Sequence, residues 1–462
     1  MIILKRIKLH ILIVATIFAL TVGFYILLSP PMTQIRSALG LPKELPGARY
    51  NATVGGAEII NPYEGETYLG RITFVYHSVF IILLYATLII FAGKYLDEKI
   101  GNLVLDLAAI STIIVVASAI LYGYVSKNFF WHGTFIAGLA MFFLIGLIIM
   151  LNFKPRDLLE WNIWIAGIFL LIGGIWGAWL GSSFMHHRSE FLEALIASRF
   201  NPDLAEEDLY WRALTSHEHA MIAIALALVF FLALSINRPK ENAKMLLVFT
   251  PQRLYLLGIP AQIFMAAACY SVTFFGGKTH LVITPAALIL ISVTLLLSLS
   301  MERNDLLKIG AVISNLAVWL GVAIPGAIAA MNLREARFIY SLPIRHPSYD
   351  WLELAYNIGH WHLLLLTWGI ALLIIYIVWP ENITEKNKLY FWIGIIGLIG
   401  YLIAMLGTNL YMLANPPQPY TPNPYNNRWV TLLVEPGLTL LTIAVGLVYL
   451  YYLLDFLKSY RT

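Results

Sequence analysis

Two histidines stand one residue apart at the start of a long apolar run toward the C-terminal end of the chain. The segment reads Tyr356-Asn357-Ile358-Gly359-His360-Trp361-His362-Leu363-Leu364-Leu365-Leu366-Thr367-Trp368-Gly369. At about 100° per residue, positions i and i+2 of a helix point to nearly opposite sides. We therefore predict that His360 and His362 face two different neighbours, so that two cofactors flanking one helix can use both.

The composition around this segment is that of a polytopic membrane protein. The chain has 462 residues, of which 60% are hydrophobic and 12% charged, whereas a soluble protein is nearer half apolar and a quarter charged. A net charge of +4 gives no indication of a nucleic-acid partner. The only cysteine, Cys269, excludes an internal disulfide and a cysteine-based metal site. Histidine is thus the abundant metal-binding side chain.

Hydropathy predicts an all-α, multi-pass protein of the cell membrane, with a single transmembrane domain over residues 1–462. Twelve apolar stretches are long enough to span about 30 Å of hydrocarbon. The first is predicted to be a retained helix rather than a signal peptide. Short basic loops on one side predict that both termini are cytoplasmic. The predicted helices lie at 11–28, 72–92, 103–124, 131–151, 161–184, 214–236, 254–275, 281–299, 309–331, 355–379, 389–413 and 430–454.

This orientation places several histidines at one depth. The second, sixth and tenth helices enter from outside, with His77 on the second, His217 and His219 on the sixth, and His360 and His362 on the tenth. At 1.5 Å per residue, all five lie roughly 5–10 Å below the outer surface. The one-in-four spacing predicts three arcs of four helices closing into a ring.

These features resemble the catalytic subunit of the heme–copper oxidase and nitric oxide reductase superfamily. The resemblance implies two hemes: a low-spin heme held by His77 and His362, and a high-spin heme with His360 as its proximal ligand. It also implies that His217 or His219 binds a distal copper or non-heme iron. The implied partners are membrane lipid, an outer-face electron donor (a cytochrome, a cupredoxin or a quinol) and further subunits of a respiratory complex.

The chain departs from this superfamily at the outer end of the seventh helix. Family members have two adjacent histidines there, whereas residues 267–275 contain none. Two replacements are open: His280 in the following loop, and the pair His186-His187 at the outer end of the fifth helix. Of the other histidines, His132 is predicted to be interfacial, and His10 and His346 are predicted to lie at the surface.

Three functions remain open at this stage. The first is an oxidoreductase of the terminal oxidase or nitric oxide reductase type that reduces O2 or NO. The second is a bis-histidine diheme b-type cytochrome, in which His217 or His219 closes the far side of the His360 heme. The third is a histidine-based, proton-coupled transporter without heme. Carbon monoxide binding separates the first two, and a pyridine-hemochrome assay separates both from the third.

Replacement of His362 by alanine is expected to remove one heme component and to leave the His360 heme partly assembled, because the two imidazoles face opposite sides of one helix. His77→Ala is expected to remove the same component as His362→Ala. Optical spectra of the reduced, purified variants measure this. If His362→Ala and His360→Ala lose the same component, the assignment of two hemes to the two histidines is wrong.

Overall fold

The computed structural model of the chain describes most of its apolar segments. The described residues are 2–28, 37–38, 40, 53–54, 57–58, 62–125, 129–186, 209–239, 249–276, 279–302, 305–324, 326, 348–379, 385–414, 446, 450, 451, 454 and 458. The predicted twelfth helix, 430–454, falls almost wholly outside them. The other predicted spans coincide with helices of the structure, so the helix numbers used below match those of the sequence.

Helices make up nearly all of the described part. Two-residue strands, β1 (Thr53–Val54) and β2 (Ala57–Glu58), pair antiparallel. Turns of π-helix at Leu121–Val125 and Trp319–Ala323 directly follow two of the α-helices. The α-helices are α1 (Ile2–Leu28), α2 (Pro62–Tyr95), α3 (Glu98–Ile120), α4 (Phe129–Asn152), α5 (Leu158–His186), α6 (Leu209–Ile236), α7 (Pro251–Phe275), α8 (His280–Leu299), α9 (Asp305–Val318), α10 (Ser348–Val378) and α11 (Glu385–Ala414).

Nine helices of the described part are long and apolar enough to cross a membrane. Many of their large side chains are exposed on the protein surface, such as Leu151 on α4 and Ile403 on α11, as expected for residues that face lipid. The prediction of a helical, multi-pass membrane protein is confirmed to this extent.

Local sequence signals set the helix ends. The Asp97 carboxylate accepts the backbone N–H of Ile100 at 2.9 Å and caps α3, as acidic side chains do at helix N-termini. Thr250 is the N-cap of α7, with Pro251 as the first helical residue. The same helix ends at Gly276, whose φ of 80° is in a region that favours glycine.

The chain divides into two compact units, the first of which comprises residues 1–154 and 445–462. In this unit α1 packs against α2 and α3, α2 packs against α3, and α3 packs against α4. Its core contains Ile82 and Ile89 of α2 and Val104 of α3, all essentially inaccessible. The Ser111 hydroxyl donates to the carbonyl of Gly138 at 2.6 Å, because this glycine lets the two backbones approach closely.

The second unit, residues 155–444, is built around α6. This helix contacts α5, α7, α8, α9 and α10. Residues 224–235 are buried without exception, as expected for a helix that is apolar on every side. Polar contacts join its neighbours: the buried Asn162 amide of α5 donates to the carbonyl of Tyr255 at 2.8 Å and accepts from Gln262 of α7 at 2.9 Å.

The turn that precedes α5 is fixed by charged side chains. The Asp157 carboxylate accepts the N–H of Glu160 at 2.9 Å and pairs with Arg238 at 2.7 Å. Burial acts to raise the pKa of Asp157, but the hydrogen bonds from Glu160 and Arg238 and the Arg238 charge outweigh it, so the pKa is lowered. The Glu160 carboxylate in turn accepts the N–H of Arg156 at 2.8 Å.

Asp157→Asn is expected to lower the free energy of unfolding at pH 7 by about 1 kcal/mol or less, because asparagine still caps the helix while an ion pair this exposed contributes little. Because the folded-state pKa of Asp157 is lowered, the carboxylate stabilises the protein fully above the unfolded-state pKa of about 3.9. This stabilisation is lost as pH falls through the folded-state pKa. Unfolding by sodium dodecyl sulfate at pH 7 and pH 3 measures it. Asp97→Asn, at a cap without an ion pair among the described residues, is the control and should leave stability unchanged at both pH values.

Candidate functional site

Two of the predicted histidines meet between α6 and α10. The ring centroids of His219 and His360 are 5.9 Å apart, and the two ring planes are inclined by 32°. His360 is buried, at 5% exposure, and His219 is half-buried. The prediction that the sixth and tenth helices present imidazoles at one level is confirmed for this pair.

A hydrogen bond to the backbone orients His219. Its Nδ1 lies 2.8 Å from the carbonyl oxygen of Thr215, one turn earlier on α6. A carbonyl oxygen only accepts, so in the neutral ring Nδ1 carries the hydrogen and Nε2 carries the lone pair. Metal-binding histidines are commonly held in this way, by a hydrogen bond at the nitrogen that does not bind the metal.

His217 turns to the other side of α6. A Cβ atom at Gly177 of α5 would lie 2.7 Å from Cε1 of the His217 ring, so that ring packs directly onto the glycine. This confirms the prediction that His217 and His219 diverge. It also identifies His219, rather than His217, as the histidine of α6 that faces α10.

The structure leaves the predicted low-spin pair untested. His77 belongs to the first unit, where its ring meets Phe135 of α4 edge to face at 5.6 Å. His362 is half-buried in the second unit. Joint binding of one heme by His77 and His362 stays a prediction.

The remaining histidines lie outside this pair of helices. His132, predicted to be interfacial, packs against Tyr122 with ring centroids 5.5 Å apart. The prediction that His10 lies at the surface is wrong, because it is buried at 2% exposure beside a tyrosine of α2. His280 begins α8 rather than lying in a loop. The side chains of His186 and His280, and the whole of His187 and His346, lie outside the described residues.

The distance between the His219 and His360 rings limits which metal ions or cofactors the pair can bind. Two metal–nitrogen bonds of about 2 Å, with roughly 1 Å from each nitrogen to its ring centroid, give about 6 Å across a single metal ion. The observed 5.9 Å is compatible with one metal ion between the imidazoles, and it is also an ordinary distance for two aromatic rings in direct contact. Among the described residues, no group of three or more His, Cys, Asp or Glu side chains is placed to hold a metal.

Two features near the pair were not foreseen from the sequence. The Thr215 carbonyl that orients His219 belongs to the backbone, so no side-chain pattern in the sequence indicates it. The only hint in the sequence is that Thr215 stands one helical turn before a histidine. At the outer end of α7, where the superfamily has two histidines, the Cys269 carbonyl accepts the Ser216 hydroxyl at 2.8 Å. The Tyr270 ring packs there against Trp176.

Comparisons with known proteins found no relative of this chain. Neither a scan against protein-family models, nor a search of curated proteins, nor a search of solved structures finds a match to this chain.

Gly177→Ala is expected to destabilise the protein by about 1–3 kcal/mol, since the added methyl overlaps the His217 ring in a packed contact. The His219–His360 pair lies on the opposite side of α6 and should be unaffected. Thermal unfolding in detergent measures the effect. Gly400→Ala of α11, where an added Cβ meets nothing within 4 Å, is the matched control; equal melting temperatures for the two variants would show that His217 does not occupy this contact.

Proposed function

We propose that this protein is an integral membrane heme protein of electron transfer, in which His219 and His360 would together hold one heme through its iron. The observation that carries the proposal is the 5.9 Å separation of the two rings, which matches one metal between two imidazoles. When bound, the heme supplies one-electron redox chemistry.

The chain's own residues are suited to hold such a group. The Thr215 carbonyl fixes the His219 ring with Nε2 available as the ligand atom. His360 is buried, and the residues that follow it on α10, Leu363 and Leu364, are buried as well, so water is kept from its ring. Glu218 lies between the two histidines of α6 within an apolar helix. The desolvation penalty of a carboxylate in such surroundings is offset in part when a cation lies nearby.

The lack of metal ligands on the seventh helix supports electron transfer over reduction of O2 or NO. The oxidase-type function requires a heme iron and a second metal between helices six and ten. A second metal also requires about three ligands of suitable type. The seventh helix, which supplies two of them in the superfamily, contains no histidine at its outer end.

The remaining parts of the proposal rest on the hydropathy and loop charges of the sequence and on its resemblance to the oxidase superfamily. The protein crosses the cell membrane about twelve times, with both termini in the cytoplasm and the helices in three arcs of four. His77 and His362 bind a second heme. A cytochrome, a cupredoxin or a quinol donates electrons at the outer face, and further subunits of a respiratory complex accept them.

His219→Ala is expected to convert one of two six-coordinate hemes into a five-coordinate heme that binds carbon monoxide, because the iron keeps His360 and loses its other ligand. The protein with all its histidines should bind almost no carbon monoxide. Reduced-minus-oxidised and carbon monoxide difference spectra of the purified full chain measure this. His217→Ala, which changes the same residue type on the opposite face of α6, is the control and should keep both hemes six-coordinate.

Three results contradict the proposal. Absence of a Soret band in the purified protein excludes heme binding. Strong carbon monoxide binding that is the same in the unaltered protein and in His219→Ala shows that His219 is not a heme ligand. Elemental analysis with one copper per two hemes, lost in His219→Ala, shows that a distal copper site exists and restores the oxidase-type function.

A further inference from the structure

Four polar side chains from three helices meet in the first unit. Arg6 and His10 belong to α1, Tyr85 belongs to α2, and Asp106 belongs to α3. Arg6 pairs with the Asp106 carboxylate at 2.5 Å, and Nε2 of His10 lies 3.5 Å from the other carboxylate oxygen. On the far side of the imidazole, Nδ1 lies 2.6 Å from the Tyr85 hydroxyl.

Burial changes sharply along the row formed by Arg6, Asp106, His10 and Tyr85. The side chains of Arg6 and Asp106 are 39% and 46% exposed, whereas that of His10 is 3% exposed. Tyr85 is fully buried, at 0%. The row therefore begins at the surface of the unit, near the start of α1, and ends in its core.

Packing alone does not account for such a row. A buried imidazole and phenol cost desolvation free energy that apolar side chains of similar size avoid. The Arg6–Asp106 pair is complete without His10. Ionisable side chains within membrane helices are rare and commonly functional.

We propose that Asp106, His10 and Tyr85 form a proton-binding site that exchanges with water through Asp106 and holds the proton on His10. In this site a proton from water reaches the Asp106 carboxylate and moves to Nε2 of His10, which leaves a carboxylate beside an imidazolium. Nδ1–H of the imidazolium donates to the Tyr85 oxygen. Release reverses each step, so that one proton is bound and one is returned.

The charges around His10 are compatible with this cycle. In the described part of the chain, the charged and titratable side chains seen to contact it are Arg6 on its own helix, by way of Asp106, Tyr85 on α2 and Asp106 on α3. Arg6 pairs with one oxygen of Asp106, and His10 faces the other. Asp106 then stabilises the imidazolium once the proton has moved, because an opposite charge at this distance favours the charged form.

Nitrogen-15 NMR of the full-length, histidine-labelled protein in lipid nanodiscs tests the site. The His10 signals are identified by their absence in His10→Gln. Both ring nitrogens should move reversibly toward imidazolium shifts as pH falls from 9 to 5. Asp106→Asn should lower the midpoint by about one pH unit or more, and Tyr85→Phe should change chiefly the Nδ1 signal.

Thr87→Val is the matched control, since this buried hydroxyl of α2 donates to the Leu83 carbonyl of its own helix; it should leave the His10 titration unchanged. A His10 ring that stays neutral from pH 9 to pH 5 in the unaltered protein overturns the proposal, whether or not any variant folds. An unchanged midpoint in Asp106→Asn overturns it equally, because Asp106 is then not coupled to the bound proton.

Discussion

The burial of α6 on every side is the constraint on which the second unit depends. A helix that contacts five neighbours has no polar face, so any polar side chain on it must find a partner on an adjacent helix or on its own backbone. His219 meets His360 of α10, His217 packs onto Gly177 of α5, and Ser216 bonds to the backbone of α7. The polar residues at one end of this helix thus join three different neighbours.

Periodicity and hydropathy were sufficient to predict most of the fold. The positions of eleven apolar helices follow from hydropathy, and the divergence of His217 from His219 follows from the rotation per residue. Hydropathy and this rotation depend only on the local chain, so a sequence reveals them without knowledge of the neighbours. Heme binding, the low-spin pair and the oxidase resemblance stay predictions.

Other features depend on how each helix is rotated about its axis, which the sequence does not fix. Both His217 and His219 were equal candidates to face the tenth helix until the position of α5 selected between them. His10 was placed at the surface because it precedes the first apolar run, yet α1 begins earlier, at Ile2, and carries His10 into contact with α2. The hydrogen bond from His219 to Thr215 involves a backbone atom that no side-chain pattern indicates.

The π-helical turn after α9 links that helix to the histidine-bearing end of α10. Gly321 lies within the turn, and a Cβ atom there would overlap the side chains of Leu363 on α10 and Leu402 on α11. A π turn accommodates one extra residue in an otherwise continuous helix. Deletion of one residue here would restore α-helical winding and rotate the glycine away from Leu363, the neighbour of His362 in sequence. The spacing between α9 and α10 is therefore sensitive to insertions and deletions as well as to side-chain size, at a point remote in sequence from either histidine.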